Sequence, residues 1–348
     1  MSARALNRLR DASKVAAHHL GVLAVLRRLV RRNRAIVLRY HAVAPDEMPF
    51  PAYAGPEITI PRAIFAAQMR FVRRSYTAVP LGTIVEAVAR GEAPPAGTVA
   101  ITLDDGYADN YEQAFPVLRA LGLPATVYVV TETLDDGPPL WMSELRAAVV
   151  ASRAPTLRVE IAGGYEFALG GELERRQTIK ELTNLLVPVD AALRRRILTT
   201  IRHELAANGT AELAHTVLSA AQIRELHAGG ITIGAHSQTH SNMTLISPDQ
   251  ARAEIGGSRD QLEALLGAPV RDFAYPNAGG RYPHCNDAVA TIVRQLGLRS
   301  AVTSHPGVIG AGANPFLLPR LGVAPRLYRE AALAVTIERY RLFAEASA

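Results

Sequence analysis

The chain has 348 residues, 49% of them hydrophobic, which excludes a disordered or fibrous protein and suits one barrel-sized domain with an insertion, or two ordinary domains. Its single cysteine, Cys285, excludes an internal disulfide, so packing must hold the fold together, with or without a metal ion. The net charge of +6 arises in residues 1–39, where ten Lys and Arg stand against one Asp; the remaining chain carries −3, which does not indicate a nucleic-acid-binding protein.

The N-terminal arm, residues 1–34, is basic and amphipathic. On a helix its apolar and basic side chains fall on opposite sides: Val22, Leu23, Leu26, Leu29 and Val30 against Arg27, Arg28, Arg31 and Arg32. This pattern is typical of a helix on an anionic membrane surface, but a helix that packs against the barrel and exposes its arginines has the same pattern. The apolar run is too short to span a bilayer, and no convincing cleavage site follows it. We expect a cytoplasmic protein, with peripheral contact at the inner membrane surface if the arm binds lipid.

Strand-like and helix-like segments alternate along most of the remaining chain. Before residue 136 they are a strand at 35–40, helices at 61–74 and 81–90, a strand at 99–103, a helix at 108–121 and a strand at 124–130. After residue 215 they are a helix from Ser219, a strand at 231–235, a helix from Ser247, a strand at 270–275, a helix at 287–296 and strands at 299–303 and 316–318. This alternation implies parallel strands joined by right-handed crossovers.

The alternation breaks between about residues 136 and 215. This section contains one tryptophan, one strand-like stretch and two charged helical stretches: Trp141, 157–168, 172–186 and 191–207. We therefore predict an α/β fold, a distorted, seven-stranded (β/α) barrel over residues 35–325 with an inserted helical subdomain, followed by a C-terminal helix at 326–348. A flat parallel sheet remains an alternative.

The predicted strand ends carry a concentrated set of polar side chains. They are His41, Asp104 with Asp105, His236 with His240, Tyr275 with Asn277, His305 and Arg320. In a (β/α) barrel, catalytic groups lie at the C-terminal ends of the strands, so one face of the barrel becomes the candidate site. The Asp-Gly pair at 105–106 could also form a hairpin turn, but the segment that follows has a helical pattern.

The stretch His236-Ser-Gln-Thr-His240 contains two imidazoles four residues apart. Such a pair can converge on one metal ion, and a carboxylate from a neighbouring strand end would complete a site with three protein ligands. Taken alone, the two histidines could equally lie on a surface loop. Together with the Asp-Asp pair at a strand end, they indicate a metal centre, because a catalytic zinc site needs three protein ligands and one open position.

Three stretches together resemble a known family: Thr102-Leu-Asp-Asp-Gly106, His236-Ser-Gln-Thr-His240 and Phe273-Ala-Tyr-Pro276. In this order they are similar to the first three motifs of the polysaccharide deacetylases, the NodB-homology or carbohydrate esterase 4 family. Leu38-Arg-Tyr-His41, Trp141 and Leu318-Pro-Arg320 resemble the branch found with bacterial exopolysaccharide and surface-glycan genes. The resemblance covers about residues 35–325.

The resemblance implies roles for individual residues. Asp105, His236 and His240 would hold a divalent metal ion, usually Zn²⁺, with Co²⁺ or Ni²⁺ as alternatives, and Asp104 would be the general base. Metal-bound water would attack the acetamide carbonyl, since a bound metal ion lowers the pKa of its water from about 15.7 toward 7. A backbone N–H near Tyr275 would be the second donor to the oxyanion. The candidate substrate and oxyanion residues are therefore the three consecutive residues Tyr275, Pro276 and Asn277.

Two departures from the family pattern affect the catalytic assignments. The arginine that precedes the proline of the third motif, and contacts the catalytic aspartate, is replaced here by Ala274 and Tyr275, and we assign its role to Arg320. The late histidine that protonates the leaving amine is not evident, so His41 and His305 are the candidates for the general acid.

The leading hypothesis is a metal-dependent hydrolase that removes N-acetyl groups from an amino sugar in a glycan or a lipid-linked sugar. One alternative is an amide or imide hydrolase with a small non-sugar substrate. Another is an inactive glycan-binding protein at the membrane surface, which the presence of Asp104, Asp105, His236 and His240 disfavours. Asp109, at the start of the helix after the acids, is expected to be its N-cap.

Overall fold

A computed structural model describes residues 25, 32–48, 51–135, 137–161, 163–205, 213, 215–277 and 280–344. The predicted amphipathic arm therefore lies outside the described residues except at Val25 and residues 32–34. Within the described ranges, no helix combines the length and the apolar character needed to cross a membrane.

Strands and helices alternate as the sequence predicts. The strands are β1 (Ile36–Tyr40), β2 (Ala42–Ala44), β3 (Thr59–Pro61), β4 (Thr77–Ala78), β5 (Thr98–Leu103), β6 (Thr126–Val129), β7 (Thr156–Val159), β8 (Tyr165–Ala168), β9 (Thr232–Ala235), β10 (Asp272–Ala274), β11 (Ser300–Val302) and β12 (Leu321–Gly322). The helices are α1 (Arg62–Ser75), α2 (Leu81–Ala89), α3 (Phe115–Leu121), α4 (Trp141–Ala151), α5 (Glu172–Leu186), α6 (Ala191–Glu204), α7 (Ala220–Ala228), α8 (Pro248–Leu266), α9 (Asp287–Gln295) and α10 (Glu330–Phe343).

Seven strands form one curled parallel sheet in the order β11-β10-β9-β6-β5-β1-β12, and the short β4 pairs with β5 beside that path. Leu318 pairs with Val302 of β11, while Leu321 of β12 pairs with Leu38 of β1. The chain between Leu318 and Leu321 thus connects the two edges of the sheet. The prediction of a distorted, seven-stranded (β/α) barrel is confirmed.

The last strand lies later in the chain than predicted. The sequence places it at 316–318, whereas β12 is Leu321–Gly322 and Leu318 makes only an isolated bridge. Pro319 follows Leu318 directly, and proline has no N–H with which to continue a strand ladder.

The barrel core consists of strand side chains covered by helices. All six residues of β5 are buried, because a parallel sheet is covered on both faces. The capping boxes predicted at Ser219 and Ser247 are present: each serine side chain accepts a hydrogen bond from the third residue of its helix, the N–H groups of Gln222 and Gln250.

The expectation for Asp109 is wrong. Its backbone already has helical angles, φ −63° and ψ −18°, and its side chain caps no helix N–H. The carboxylate instead accepts hydrogen bonds from the Tyr53 hydroxyl, at 2.8 Å, and from Asn110 Nδ2, at 2.9 Å. A short π-helical segment, Asn110–Ala114, then leads into α3.

The insertion has an apolar cluster of its own, formed by residues such as Leu145, Phe167, Leu182 and Leu198. It is not purely helical, because β7 and β8 form an antiparallel hairpin between α4 and α5. Gly163 and Gly164 interrupt the strand-like stretch as turn residues, with φ of 126° and 77°, a region that glycine adopts without steric cost. The boundaries at about 136 and 215 remain a prediction.

The predicted C-terminal helix at 326–348 corresponds to a 3₁₀ turn at Pro325–Leu327 and to α10. Residues 345–348 lie outside the described part of the chain. Arg34, which precedes β1, donates a hydrogen bond to the carbonyl of Arg341 at 3.3 Å, so the start of the barrel is attached to α10.

Candidate active site

The carboxyl ends of the barrel strands open into a cavity of about 470 Å³. Its lining includes most of the predicted site residues: His41, Asp104, Asp105, His236, His240, Tyr275 and Asn277. Arg320 does not line the cavity. It precedes β12 and its buried side chain reaches Asp104 from the barrel interior, so it is not a C-terminal strand-end residue as the sequence predicts.

Asp105, His236 and His240 meet at one point. Asp105 Oδ1 lies 3.4 Å from Nε2 of His236 and 3.4 Å from Nε2 of His240. All three side chains are buried, and their ligand atoms lie within 4.8 Å of one another. A tetrahedral ion with ligand bonds of about 2.0–2.1 Å separates its ligand atoms by about 3.3 Å, so these spacings fit a zinc-like ion.

The hydrogen bond of His236 agrees with a metal-binding role. Its Nδ1 lies 2.7 Å from the carbonyl oxygen of Ala274, which requires a proton on Nδ1. In the neutral ring, the lone pair of Nε2 then faces an oxygen of Asp105. Both atoms are hydrogen-bond acceptors, and a cation bound between them stabilises this arrangement. Burial lowers the pKa of His240, which favours the neutral imidazole that binds metal ions.

Two metal-ligand candidates have left-handed backbone conformations. Asp105 has φ 75° and His240 has φ 52°, and Ser237 between the histidines has φ 65°. Non-glycine residues in this region cost on the order of 1–3 kcal/mol each and persist where the surrounding structure holds them. With these backbone conformations the two side chains meet, Asp105 Oδ1 lying 3.4 Å from His240 Nε2.

The loop at 236–241 is held from two sides. On one side, Glu254 of α8 accepts hydrogen bonds from the N–H groups of Gln238 and Thr239, both at 2.9 Å, and from the Thr239 hydroxyl at 2.6 Å. On the other side, buried Arg194 of α6 donates to the carbonyl of Thr239 at 3.0 Å and stacks over Trp141 at 4.8 Å. The insertion therefore contacts the loop that carries both histidines.

Asp104 and Arg320 form a two-point ion pair. Arg320 donates to Oδ1 at 2.6 Å and to Oδ2 at 2.7 Å, and its remaining donors reach Thr303 O at 2.9 Å and Thr102 Oγ1 at 3.1 Å. Burial by itself raises the pKa of Asp104, but the guanidinium outweighs it and lowers the pKa to about 2. Asp104 is therefore a carboxylate at neutral pH. This is the contact that the sequence analysis assigns to Arg320.

His41 and His305 have different surroundings. His41 lines the cavity, with Nε2 3.9 Å from Asp104 Oδ2, and burial lowers its pKa to about 4. His305 is exposed, is absent from the cavity lining, and contacts Cys285 Sγ at 3.9 Å and the ring of His284 at 4.6 Å. Of the two candidate acids, only His41 is near the triad.

The N–H of Tyr275 itself is not free to act as an oxyanion donor, so the donor expected near Tyr275 would have to be a neighbouring N–H. It donates to the carbonyl of Val302 at 3.1 Å, and the Tyr275 hydroxyl donates to the carbonyl of Phe316 at 2.8 Å. Pro276 has no N–H. Among these three positions Asn277 remains the donor candidate, because it has an N–H and lines the cavity.

The cavity also contains polar residues that the sequence analysis did not select. They are Arg39, Tyr53, Glu57, Tyr107, Arg146, Arg176 and Lys180. Arg39 had a visible signal, because it is the one charged residue in the apolar strand Ile36–Tyr40. Burial lowers its pKa to about 10, and it contacts Ser304 at the cavity wall. The others lie on helices and loops whose position depends on tertiary packing.

The family model described as polysaccharide deacetylase matches residues 91–158 and 195–301, half of the chain. These residues include Asp104, Asp105, His236 and His240. The chain belongs to the polysaccharide deacetylase family, whose members remove N-acetyl groups from polysaccharides and are generally metal-dependent. It is a hydrolase that acts on carbon–nitrogen bonds other than peptide bonds.

Individual relatives are distant in sequence. The chain is 19% identical over 290 residues to "Putative polysaccharide deacetylase YxkH" from Bacillus subtilis (strain 168). The aligned region spans 83% of this chain and 71% of that protein. It is similar in structure to the Streptococcus pyogenes deacetylase PplD in complex with acetate, with TM-score 0.55 and 20% identity over 86% of this chain and 96% of that one. IcaB from Ammonifex degensii has TM-score 0.55 and 20% identity over 87% and 98% of the two chains. At these identities the likeness shows the fold.

Proposed function

We propose that the chain is a metal-dependent de-N-acetylase that acts on an amino sugar in a glycan or glycolipid. The observation that carries the proposal is the triad of Asp105, His236 and His240, with ligand-atom spacings of 3.4 Å, beside the carboxylate of Asp104 in one cavity. We assign Zn²⁺ to the triad because one carboxylate and two imidazoles are the donor set of many catalytic zinc sites, with Co²⁺ or Ni²⁺ as replacements.

A divalent ion at the triad would polarise the acetamide carbonyl and make a water molecule acidic enough to react at neutral pH. Asp104 takes the proton of the attacking water as the general base. Arg320 orients this carboxylate by binding both of its oxygens, at 2.6 and 2.7 Å, so that its remaining lone pairs are directed at the cavity. With a pKa of about 2, Asp104 is a weak base, so proton transfer to it would rely on the acidity that a bound divalent ion gives to the attacking water.

His41 completes the reaction as the general acid. Hydrolysis forms a bond between the water oxygen and the acetyl carbon and breaks the bond between that carbon and the sugar nitrogen, which needs a proton to leave as an amine. His41 Nε2 lies 3.9 Å from Asp104 Oδ2, beyond direct hydrogen-bond distance, so we propose that the proton that Asp104 takes is relayed through one water molecule to His41 and from there to the nitrogen. The products are acetate and a sugar with a free amine. The N–H of Asn277 is the proposed backbone donor to the oxyanion.

The test combines metal content with acetate release. Wild-type protein is expected to bind about one equivalent of Zn²⁺ and to release acetate from N-acetylated oligosaccharides or lipid-linked sugars in a panel that also contains cyclic imides. His236→Ala should lose both properties. His227→Ala, an exposed histidine on α7, is the matched control and should keep both. If His236→Ala still bound one equivalent of metal, the assignment of His236 as a metal ligand would be wrong. If only the cyclic imides were turned over, the substrate would be an imide and not an amino sugar.

A further inference from the structure

One wall of the cavity is formed by the insertion and is basic. Arg146 of α4 and Arg176 and Lys180 of α5 line the cavity on this side. Of the three acidic side chains in the described lining, Asp104 and Asp105 follow β5 at the strand ends, and Glu57 is the one that does not belong to the strand-end site. The wall is apolar between the cations, where Met142 and Ile179 line it. This basic wall is separate from the polar groups at the strand ends, since all its cations come from α4 and α5.

Arg146 has no partner of its own. It makes no hydrogen bond or ion pair with any residue that the structure describes, and its Nε is buried without a partner. Burial lowers the pKa of Arg146, and among its charged neighbours Glu57 raises it while Arg176 lowers it. A half-buried guanidinium beside a second one is costly unless an anion compensates the charge.

The other two cations of the wall are also available. Among the residues that the structure describes, Arg176 pairs only with Glu172, one turn away on the exposed side of α5, and this kind of surface pair contributes about 0.3–0.5 kcal/mol. Lys180 makes no ion pair with any described residue. On the wall itself, three cations stand against one exposed carboxylate. The other two acids of the lining lie at the strand ends, where Asp104 pairs with Arg320 and Asp105 contacts the two histidines, so this side of the concave site favours an anionic ligand.

The basic wall lies partly outside the family match. Residues 159–194, which include Arg176 and Lys180, fall between the two matched ranges, 91–158 and 195–301. A second groove of about 450 Å³ adjoins the cavity and shares Arg146, Arg176 and Ile179 with it, so a bound substrate can extend along the insertion. Two of the three cations of the wall thus lie in a segment that the family model does not cover.

We propose that Arg146, Arg176 and Lys180 bind a phosphate group of the substrate, so that the preferred substrate is a phosphate-bearing N-acetylated sugar. This inference rests on the proposed function. Guanidinium groups match phosphate oxygens with two parallel hydrogen bonds, and an ammonium adds a compact charge. The phosphate could belong to a soluble glycosyl phosphate or to the headgroup of a lipid-linked sugar, and the apolar residues between the cations suit either linkage.

The first measurement is binding, which does not depend on turnover. Zinc-loaded Asp104→Asn protein is titrated calorimetrically with N-acetylglucosamine 1-phosphate, with a prenyl-diphosphate-linked N-acetylglucosamine and with a neutral N-acetylglucosamine oligomer. We expect the phosphorylated ligands to bind at least tenfold more tightly than the neutral one, with an affinity that falls as salt rises. If the prenyl-linked ligand binds more tightly than N-acetylglucosamine 1-phosphate, the phosphate belongs to a lipid-linked sugar. If the two ligands bind equally, it belongs to a soluble glycosyl phosphate. Equal affinity for phosphorylated and neutral ligands would overturn the proposal.

The second measurement uses variants of the wall. Arg146→Gln and the double variant Arg176→Gln with Lys180→Gln should each raise the KM for phosphorylated substrate at least tenfold and leave kcat and the neutral substrate nearly unchanged. Arg196→Gln, at an exposed position of α6 outside the cavity lining, is the matched control. Unchanged KM in folded wall variants would refute the subsite even if acetate is released. Phosphate-dependent binding that requires Arg146, without acetate release from any substrate, would keep the subsite and reject the deacetylase function.

Discussion

Arg320 binds both carboxylate oxygens of Asp104, at 2.6 and 2.7 Å, and both side chains are almost completely excluded from solvent. Removing one member of such a pair leaves the other charge buried and unpaired. Arg320→Ala is therefore expected to lower the free energy of unfolding by about 3–5 kcal/mol, measured by urea denaturation.

The double variant Arg320→Met with Asp104→Asn should recover most of that stability, because neither member of the pair is left as an unpaired buried charge. It should stay inactive, since the general base is missing. If Arg320→Ala were as stable as wild type, or the double variant were active, the role assigned to this pair would be wrong.

The two candidate acids can be separated by substitution. His41→Gln should lower kcat by about 10²–10⁴-fold with little change in KM or zinc content, because His41 lines the cavity beside Asp104. His305→Gln should have no effect, since His305 is not part of the cavity lining. Steady-state kinetics with one N-acetylated substrate would decide; a loss confined to His305→Gln would reverse the assignment.

Arg194 is expected to position the metal-binding loop. Its guanidinium donates to Thr239 O at 3.0 Å, next to His240, so Arg194→Gln should weaken metal affinity by about 10–100-fold. Competition between the protein and a coloured chelator for Co²⁺ measures this directly. Arg196→Gln on the same helix serves as control. If a folded Arg194→Gln protein bound Co²⁺ as tightly as wild type, Arg194 would contribute to packing but not to the position of the metal-binding loop.

Asp109 should make stability depend on pH in the acidic range. Burial raises its pKa from 3.8 to about 6, although the hydrogen bonds from Val43, Tyr53 and Asn110 oppose this. The folded state then holds the proton more tightly than the unfolded state, so the stability contribution is complete below about pH 4 and is lost as pH rises through 6. The free energy of unfolding of wild type minus that of Asp109→Asn should fall by on the order of 3 kcal/mol between pH 4 and 6.5. A constant or rising difference would show that the carboxyl has no raised pKa.

Membrane contact by residues 1–34 remains a proposal based on the arm's segregated apolar and basic residues. Full-length protein should float with liposomes that contain anionic lipid, and added salt should weaken this binding. A protein that lacks residues 1–33 should stay unbound. Equal flotation of both proteins would favour the alternative in which the arm packs against the barrel.

The local sequence determined the elements of the barrel and the identity of its reactive groups. Strand-like runs that end in acids or histidines predict Asp104, Asp105, His236 and His240 at one face, because parallel strands all end on the same side. The turn residues Ser219 and Ser247 likewise mark helix starts through contacts within one turn of chain. Such features depend on neighbours a few residues away, so the sequence contains the information directly.

Tertiary structure decided how several of those groups are placed. The family resemblance pairs Arg320 with Asp104, but only the structure shows that Arg320 reaches Asp104 from inside the barrel, across 216 residues of chain, and not from a strand end at the cavity. The N–H of Tyr275 is occupied by Val302 of the neighbouring strand, and His305 turns toward Cys285 instead of the cavity. Each outcome depends on how separate elements pack, because side-chain direction and hydrogen-bond pairing across a sheet follow from register and closure, which periodicity does not encode.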